Sequence, residues 1–554
     1  MLGVYNMGAL SVRCCPSSRA SIWERARARI VPGPRISVPI HKNSMSRFSQ
    51  SHDLLFHNAR VLTLAPRRSR AELVAVREGR VSWVGSSSDL GSLKSRDVHM
   101  IDCNGQTMVP GFIDAHTHTL ALASRLLAVN CGRSEVSSIR DIQRALRERA
   151  ARTQPGTWIR AGGYQEFDLA ESRHLTRWDL DEAAPDHPVR LVHSSGHAVV
   201  MNTVALARVG ISRDTPDPPN GVIERDIGTG DPTGVLFDMD RFLDGRVPHL
   251  SETELNEGLR LADRLMVSRG ITSVQDATAS NSPERWDLLA HAKDNGSLTP
   301  RLTFMVSLEH LDEFLERGLV PGAGDQDMDV GAVKIMLTVD SGRLVPDHAD
   351  LTRSVQRAHD AGFQAAIHAV EAAAVRAAAG IVNRQWRDRI EHCSESPPDV
   401  LACLRESGAV VVTQPRFIYD SGERYLAQTP EELQPWLYRM RSLQQAGLVV
   451  AAGSDAPVSE PDPLVGIYAA ITRRAEGGSI VGLDERVSAD EALAMHTINA
   501  AYVAQEESDK GSIEVGKLAD FALIDRDPTE VEPGELLNAK VTLTVVGGRV
   551  VWGG

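Results

Sequence analysis

Eight short apolar runs that alternate with helical patterns constrain the fold of this chain more than any other feature. Each run is rich in β-forming residues and most end at a polar residue; they cover residues 109–114, 271–276, 301–307, 332–337, 364–368, 389–392, 410–414 and 449–455. Strand–helix alternation predicts parallel strands, and eight such units predict an α/β fold of the (β/α)₈ or TIM-barrel type. A doubly wound open sheet is the alternative, but no GxGxxG motif follows an early strand.

Strand patterns also occur at both ends of the chain, outside the barrel pattern. Residues 53–108 and 503–554 alternate apolar and polar side chains around turn-forming glycines, which predicts one small composite β-sandwich domain built from both ends. The barrel then spans 109–502. Its first two strands lie about 155 residues apart, far beyond an ordinary βα connection. We therefore expect an inserted subdomain or lid at about 120–255.

The first fifty residues differ in composition from the rest of the chain. Residues 1–50 contain seven Arg, one Lys and one acidic residue, Glu24. An Arg- and Ser-rich terminus with few acids resembles an organelle transit peptide. A flexible tail, or a start codon assigned too early with Met45 as the true start, are the alternatives. We treat this segment as an unmatched basic extension.

The composition of the whole chain excludes several classes of protein. The formal net charge is −13, which disfavours nucleic-acid binding through phosphate contacts. No apolar stretch reaches the roughly 20 residues that a membrane span needs. The six cysteines form no CxxC motif, so a reducing, cytoplasmic location is expected. The expected partner is a small-molecule substrate, and a homo-oligomer remains open.

A histidine pair gives the first indication of chemistry. His116 and His118 follow the apolar run MVPGFIDA. On an extended chain residues i and i+2 point the same way, so both imidazoles can reach one metal ion. Their place at the carboxyl end of the first barrel strand, where barrel enzymes have their active sites, strengthens this interpretation.

Four more polar residues lie in or at the ends of later strands. They are Lys334 within GAVKIML, His368 after AAI, His392 in RIEH and Asp455 in AAGSD. Any single one of them is explained as well by a capped or ion-paired core residue. Six such residues facing one barrel mouth predict a hydrolytic metal site instead.

The donor types suggest the chemistry of that site. Histidine and carboxylate ligands suit Zn²⁺ or a similar divalent ion, which lowers the pKa of bound water and polarises a carbonyl group. Asp455 is the expected catalytic residue, taking a proton from water and passing it to the leaving group. One or two ions are possible. A second ion needs a bridging anion, which carboxylation of Lys334 by CO₂ would supply.

These residues and several longer motifs resemble the amidohydrolase superfamily. PGFIDAHTH, the strand-four lysine, the two later histidines and GSDAP carry the resemblance. SSGHAVVMNTVAL, TGVLFD, RIEHC and GSIEVGKLADFALID are similar to its amidohydrolase-3 (YtcJ-like) branch. The resemblance covers residues 53–553. It implies a metal-dependent barrel joined to a small β-sandwich, and hydrolysis of non-peptide carbon–nitrogen bonds, as in N-substituted formamide deformylases.

The resemblance also implies a role for each candidate residue. His116 and His118 would bind the more buried metal together with Asp455, Lys334 would be the carboxylated bridge, and His368 and His392 would bind the second metal. Many relatives have a Phe-Asp-Gly sequence after the lysine. This chain reads KIMLTVDSG there, which puts the second metal and the pocket wall in question.

Two further residues and two alternative functions complete the expectations. His197 and Gln414 are predicted to contact substrate. His368 and Glu371 form an HxxE motif that resembles mononuclear aminohydrolases (deaminases) of the same superfamily, although Glu371 equally suits the start of a helix. A catalytically inactive scaffold is the other alternative, and it predicts missing ligands, whereas all six positions are filled.

Overall fold

The computed structural model describes residues 54–553 except 67, 94–97, 134, 219–220 and 249. The basic extension 1–50 lies outside the described residues. Among the described residues, no helix has both the length and the apolar character needed to cross a bilayer.

One sheet of eight parallel strands forms the centre of the molecule. Every neighbouring pair is parallel and the strands follow one another in chain order. They are Phe112–Thr117, Ile271–Asp276, Arg301–Ser307, Met328–Met336, Ala365–Ala369, Arg389–His392, Val410–Thr413 and Val450–Ala452, here called barrel strands one to eight. Backbone hydrogen bonds from Asp455 N to His116 O (2.7 Å) and from His118 N to Ala456 O (2.9 Å) join the last strand to the first. The sheet therefore fits the predicted (β/α)₈ barrel.

Helices separate most of these strands and bury apolar residues against the sheet. Helix Glu252–Ser268, for example, begins with a Ser251–Glu254 capping box and buries Leu259, Ala262 and Met266. The others between and after the barrel strands are Thr119–Leu127, Pro283–Asp294, Leu311–Glu316, His348–Asp360, Ala372–Ala379, Pro398–Ser407, Arg416–Gln428, Met440–Gln445, Pro463–Thr472, Ala489–Met495 and Ile498–Val503.

The first barrel strand differs from its predicted bounds of 109–114. Strand Thr107–Pro110 belongs to another sheet, and the barrel strand begins only at Phe112. Gly111 lies between the two strands. A larger residue would not fit there, because its Cβ would collide with the Thr272 side chain on barrel strand two. His116 therefore lies inside the barrel strand.

Strands from both ends of the chain share one six-stranded sheet. Its order is Arg549–Trp552, Val541–Val546, Phe521–Ile524, Thr107–Pro110, Arg60–Ala65 and Arg68–Ala71. A four-stranded sheet contains Arg80–Gly85, Leu73–Arg77, Leu54–His57 and His99–Asp102. Phe56 and Phe521, one from each sheet, pack edge to face in a common apolar cluster. The composite β-sandwich domain itself stays a prediction.

A second six-stranded sheet lies between the first two barrel strands in the sequence. Its strands are Val129–Asn130, Ile159–Tyr164, Val189–His193, Ala198–Met201, Val222–Arg225 and Pro232–Phe237. Helices Ile139–Ala150, Arg177–Ala183, Thr203–Val209 and Asp240–Leu243 accompany them. This sheet has its own apolar clusters, as an inserted unit requires. A short hairpin, Thr338–Asp340 and Arg343–Val345, follows barrel strand four.

Candidate metal centre

His116 and His118 direct their Nε2 atoms toward one carboxylate. His116 is buried within barrel strand one, and His118 immediately precedes helix Thr119–Leu127. Asp455 Oδ1 lies 2.9 Å from His118 Nε2 and 3.6 Å from His116 Nε2. Ligand atoms of the three side chains lie within 4.8 Å of one another, so they form a group that could hold a metal ion.

Asp455 reaches this position through an unusual backbone conformation. It follows barrel strand eight with a φ of +57°, in the left-handed region that non-glycine residues rarely adopt. Its amide donates to His116 O, which fixes the turn against strand one. His392, at the end of strand six, is also left-handed, with a φ of +69°. Such conformations persist where the surrounding structure enforces them, and they cluster at functional sites.

The other three candidates from barrel strands four, five and six adjoin the group. Lys334 Nζ lies 3.4 Å from His116 Nε2. The ring centroid of His392 lies 4.8 Å from that of His116 and 4.5 Å from that of His368. The structure therefore brings all six candidate side chains together at the carboxyl end of the barrel.

The electrostatics of the cluster favour protonation states that bind cations. Burial lowers the pKa of Lys334 to about 8 and that of His368 to about 3. Burial and the Lys334 charge hold the pKa of His116 well below its usual value. Burial alone would raise the pKa of Asp455, but the His118 hydrogen bond and the nearby imidazoles outweigh it and lower that pKa. Neutral imidazoles and an ionised carboxylate are the forms that bind metal.

Outer side chains fix the orientation of three of the imidazoles. Nδ1 of His116 lies 2.6 Å from Glu391 Oε2, Nδ1 of His118 lies 3.0 Å from Thr278 Oγ1, and Nδ1 of His392 lies 3.0 Å from Gln414 Oε1. With Nδ1 occupied in this way, each ring has its Nε2 available as a ligand atom, as is usual for metal-binding histidines. The donor set and its orientation therefore fit a divalent ion of the Zn²⁺ type.

Glu391 and Thr278 were missed in the sequence analysis. Thr278 follows the polar end of barrel strand two, a position that could have suggested it. Glu391 precedes His392 in an apolar strand, where an acidic residue is costly without a partner. An acidic residue in so apolar a strand could have indicated that Glu391 has a buried partner.

The remaining predicted residues have different surroundings. Gln414 is fully buried beside His392, and its Nε2 has no hydrogen-bond partner among the described residues. His197 is largely exposed and lies 2.7 Å from Asp238, in the insertion. Glu371 occupies the N-cap of helix Ala372–Ala379 without a capping hydrogen bond. Within the described part of the chain, no hydrogen bond or ion pair joins His197 or Glu371 to the six-residue cluster.

Comparisons with known proteins identify the family of this chain. The family model described as "Amidohydrolase family" matches residues 99–552. N-substituted formamide deformylase of Arthrobacter pascens is 28% identical over 540 residues, which cover 90% of this chain and 98% of that protein. Putative amidohydrolase YtcJ of Bacillus subtilis is 26% identical over 530 residues, with 90% and 99% covered.

A solved structure shows the same fold. The crystal structure of an uncharacterized metal-dependent hydrolase from Pyrococcus horikoshii superposes with a TM-score of 0.73 at 23% identity, covering 87% of this chain and 99% of that one. The family match, over residues 99–552, extends over most of the chain. The chain therefore belongs to the amidohydrolase family, as its motifs predict.

Proposed function

We propose that this protein is a metal-dependent hydrolase that cleaves an amide or formamide-like carbon–nitrogen bond of a small molecule. The observation that carries the proposal is the convergence of His116 Nε2, His118 Nε2 and Asp455 Oδ1 at the carboxyl end of the barrel. The name of the Arthrobacter relative, a formamide deformylase, supports the choice of bond.

In this proposal His116, His118 and Asp455 would hold one divalent ion, with Zn²⁺ as the expected metal. His368 and His392 would hold a second ion, and Lys334, once carboxylated by CO₂, would supply the anionic group that a pair of ions needs. The depressed pKa of Lys334, at about 8, supports this step because only a neutral amine attacks CO₂. When bound, the ions supply the Lewis acidity that acyl hydrolysis needs.

The side chains of the protein would then handle the substrate and its protons. Asp455, kept ionised by its neighbours, accepts a proton from the attacking water and delivers it to the leaving nitrogen. Gln414 orients His392 through Oε1, while its unpartnered Nε2 is available to donate to the substrate carbonyl. Burial of these groups keeps competing water away and strengthens each interaction.

A substrate panel tests this function. Purified full-length protein would be incubated with an N-substituted formamide, the matching acetamide and an aminated nucleobase, and formate, acetate and ammonia would be quantified. We expect acyl release that a chelator suppresses and that Asp455→Asn abolishes. The control Asp141→Asn, in helix Ile139–Ala150 of the insertion, should retain full turnover. Ammonia release from the nucleobase without any acyl hydrolysis would contradict the proposal.

A further inference from the structure

A buried ion pair lies directly behind the His116 ring. Arg389 and Glu391 both belong to barrel strand six, and their exposed fractions are 1% and 0%. Arg389 Nε lies 2.7 Å from Glu391 Oε1, and Arg389 Nη2 lies 3.1 Å from Glu391 Oε2. Two further donations, from Nη1 to Gln275 Oε1 (2.6 Å) and from Nη2 to Ala115 O (2.8 Å), hold the guanidinium in place.

Stability alone does not account for this pair. Taking two charges out of water costs several kcal/mol per ion, and packed apolar side chains of similar volume often do as well or better. The pair is also placed where a barrel strand would otherwise carry the apolar residues that fill the interior. A role connected with the neighbouring His116 explains why charges occupy these positions.

The geometry connects the ion pair to the ligand atom of His116. Glu391 Oε2 lies 2.6 Å from His116 Nδ1. Arg389 donates to both oxygens of Glu391, so Oε2 acts as a hydrogen-bond acceptor and His116 Nδ1 is the donor in this contact. Nε2 then holds the lone pair, on the side of the ring that faces Asp455 and Lys334. Of these three imidazoles, His116 is the one whose Nδ1 contacts a charged side chain; the Nδ1 partners of the other two, Thr278 and Gln414, are neutral.

We propose that Arg389 and Glu391 are positioning residues that hold His116 in its Nε2-ligating tautomer and thereby set the metal affinity of the centre. Arg389 donates to both oxygens of Glu391, so the carboxylate stays directed at Nδ1 and does not turn toward the metal itself. The inference rests on the proposed function, since it assumes that His116 binds a metal ion. Loss of such an outer carboxylate typically weakens metal binding by about 10- to 100-fold.

The test measures metal binding rather than turnover. Zn²⁺ affinity of the full chain would be determined by competition with a chromophoric chelator, and the visible absorption spectrum of the Co²⁺-substituted protein would be recorded. For Glu391→Gln we expect a Kd about 10- to 100-fold higher and an altered Co²⁺ spectrum. The matched control is Glu485→Gln, another buried glutamate, which pairs with Arg439 (2.9 Å) and Ser442. In the ranges that the structure describes, no hydrogen bond or ion pair joins Glu485 to a ligand candidate. The Kd and spectrum of this control should equal those of the wild type.

A double variant separates the effect of losing Glu391 from the effect of leaving Arg389 buried without its partner. Arg389→Met combined with Glu391→Gln removes both charges, so a folded protein is expected even where the single variant fails to fold. The weakened affinity should persist in the double variant. Wild-type affinity and spectrum in either folded variant would overturn the inference. A wild-type protein that binds neither Zn²⁺ nor Co²⁺ would instead overturn the proposed function on which the inference rests.

Discussion

At the scale of single residues, the site depends on where each nitrogen and oxygen atom points. His116, His118 and His392 each have Nδ1 occupied by a neighbouring side chain. Asp455 and His392 adopt left-handed backbone conformations, which cost on the order of 1–3 kcal/mol each. That cost is tolerated because the hydrogen bonds around both residues enforce the conformation, and it places both side chains in the six-residue cluster.

Glu371 separates the hydrolase from the deaminase interpretation. In the hydrolase account it only begins helix Ala372–Ala379, where an acid interacts favourably with the helix dipole. Glu371→Gln should then reduce kcat by less than about threefold and stability by less than about 1 kcal/mol. Steady-state kinetics with the best amide substrate provide the measurement. A fall in kcat of about 100-fold or more, the size expected for loss of a general acid–base, would favour the deaminase scheme.

The ligand candidates could be predicted from sequence, whereas their partners could not. His116, His368, His392 and Asp455 each interrupt or end an apolar run, and a parallel barrel gathers the ends of its strands at one face. Glu391, by contrast, lies 275 positions from the histidine that it contacts, and Thr278 lies 160 positions from His118. Local patterns can mark Glu391 and Thr278 as unusual, but they carry no information on which side chain each contacts across the barrel, so these pairings emerged only from the structure.

At the scale of elements, one buried guanidinium connects the loops around the barrel mouth. Arg473 ends helix Pro463–Thr472 and is fully buried. It donates to the backbone oxygens of Val481 (2.7 Å), Tyr438 (2.8 Å) and Leu437 (2.9 Å). The Tyr438 amide in turn donates to Ser394 O (2.8 Å), two residues after His392. The loop that follows His392 is therefore held through Tyr438 by Arg473, at the end of helix Pro463–Thr472.

Replacing this guanidinium tests how much it contributes to the free energy of unfolding. Arg473→Met removes three hydrogen bonds from a charged donor, each contributing about 1.5–3 kcal/mol, so we expect a destabilisation of at least about 3 kcal/mol. Urea unfolding followed by circular dichroism gives the measurement. Arg474→Met is the control. Arg474 is the exposed neighbour of Arg473 and its side chain donates one surface hydrogen bond, to Gly478 O, so this variant should change stability by less than about 0.5 kcal/mol. Equal midpoints for both variants would contradict this role.

The elements themselves were largely predictable, and their boundaries less so. The runs at 271–276, 301–307 and 389–392 match barrel strands residue for residue. The run at 109–114 does not, because Gly111 divides it between two sheets. An apolar run looks the same whether one strand or two pass through it. Only the close approach of Thr272 shows why the chain changes sheet at this glycine.

At the scale of the whole molecule, the two ends of the barrel have different tasks. The carboxyl ends of the strands gather the ligand candidates, whereas a cluster of charged side chains lies near the amino ends of strands three and four. There Asp329 pairs with Thr303 across strands three and four, Thr303 Oγ1 donates to Glu506 (3.1 Å), and Lys510 lies 2.7 Å from Glu506. Burial and the Glu506 charge raise the pKa of Asp329, with Lys510 only partly opposing them.

This raised pKa predicts how stability depends on pH. A carboxyl group with a higher pKa in the folded state contributes stability that is fully present below its unfolded pKa and is lost as pH rises through its folded pKa. Asp329→Asn should therefore raise the melting temperature, relative to wild type, more at pH 8 than at pH 5. In a Glu506→Gln background the difference between the two pH values should shrink, because the repelling charge is gone. A gain that is independent of pH would contradict the assignment.

Metal content per chain tests the central claim most directly. Full-length protein would be purified without chelators and with bicarbonate, and analysed beside Lys334→Ala and the control His310→Ala. His310 is a partly exposed histidine paired with Glu313. The account predicts about two divalent ions per chain in the wild type and the control, and a clear loss in Lys334→Ala. About one ion, unchanged in Lys334→Ala, would contradict the bridged pair of ions. A well-folded, metal-replete preparation that holds no ion would contradict the metal centre itself.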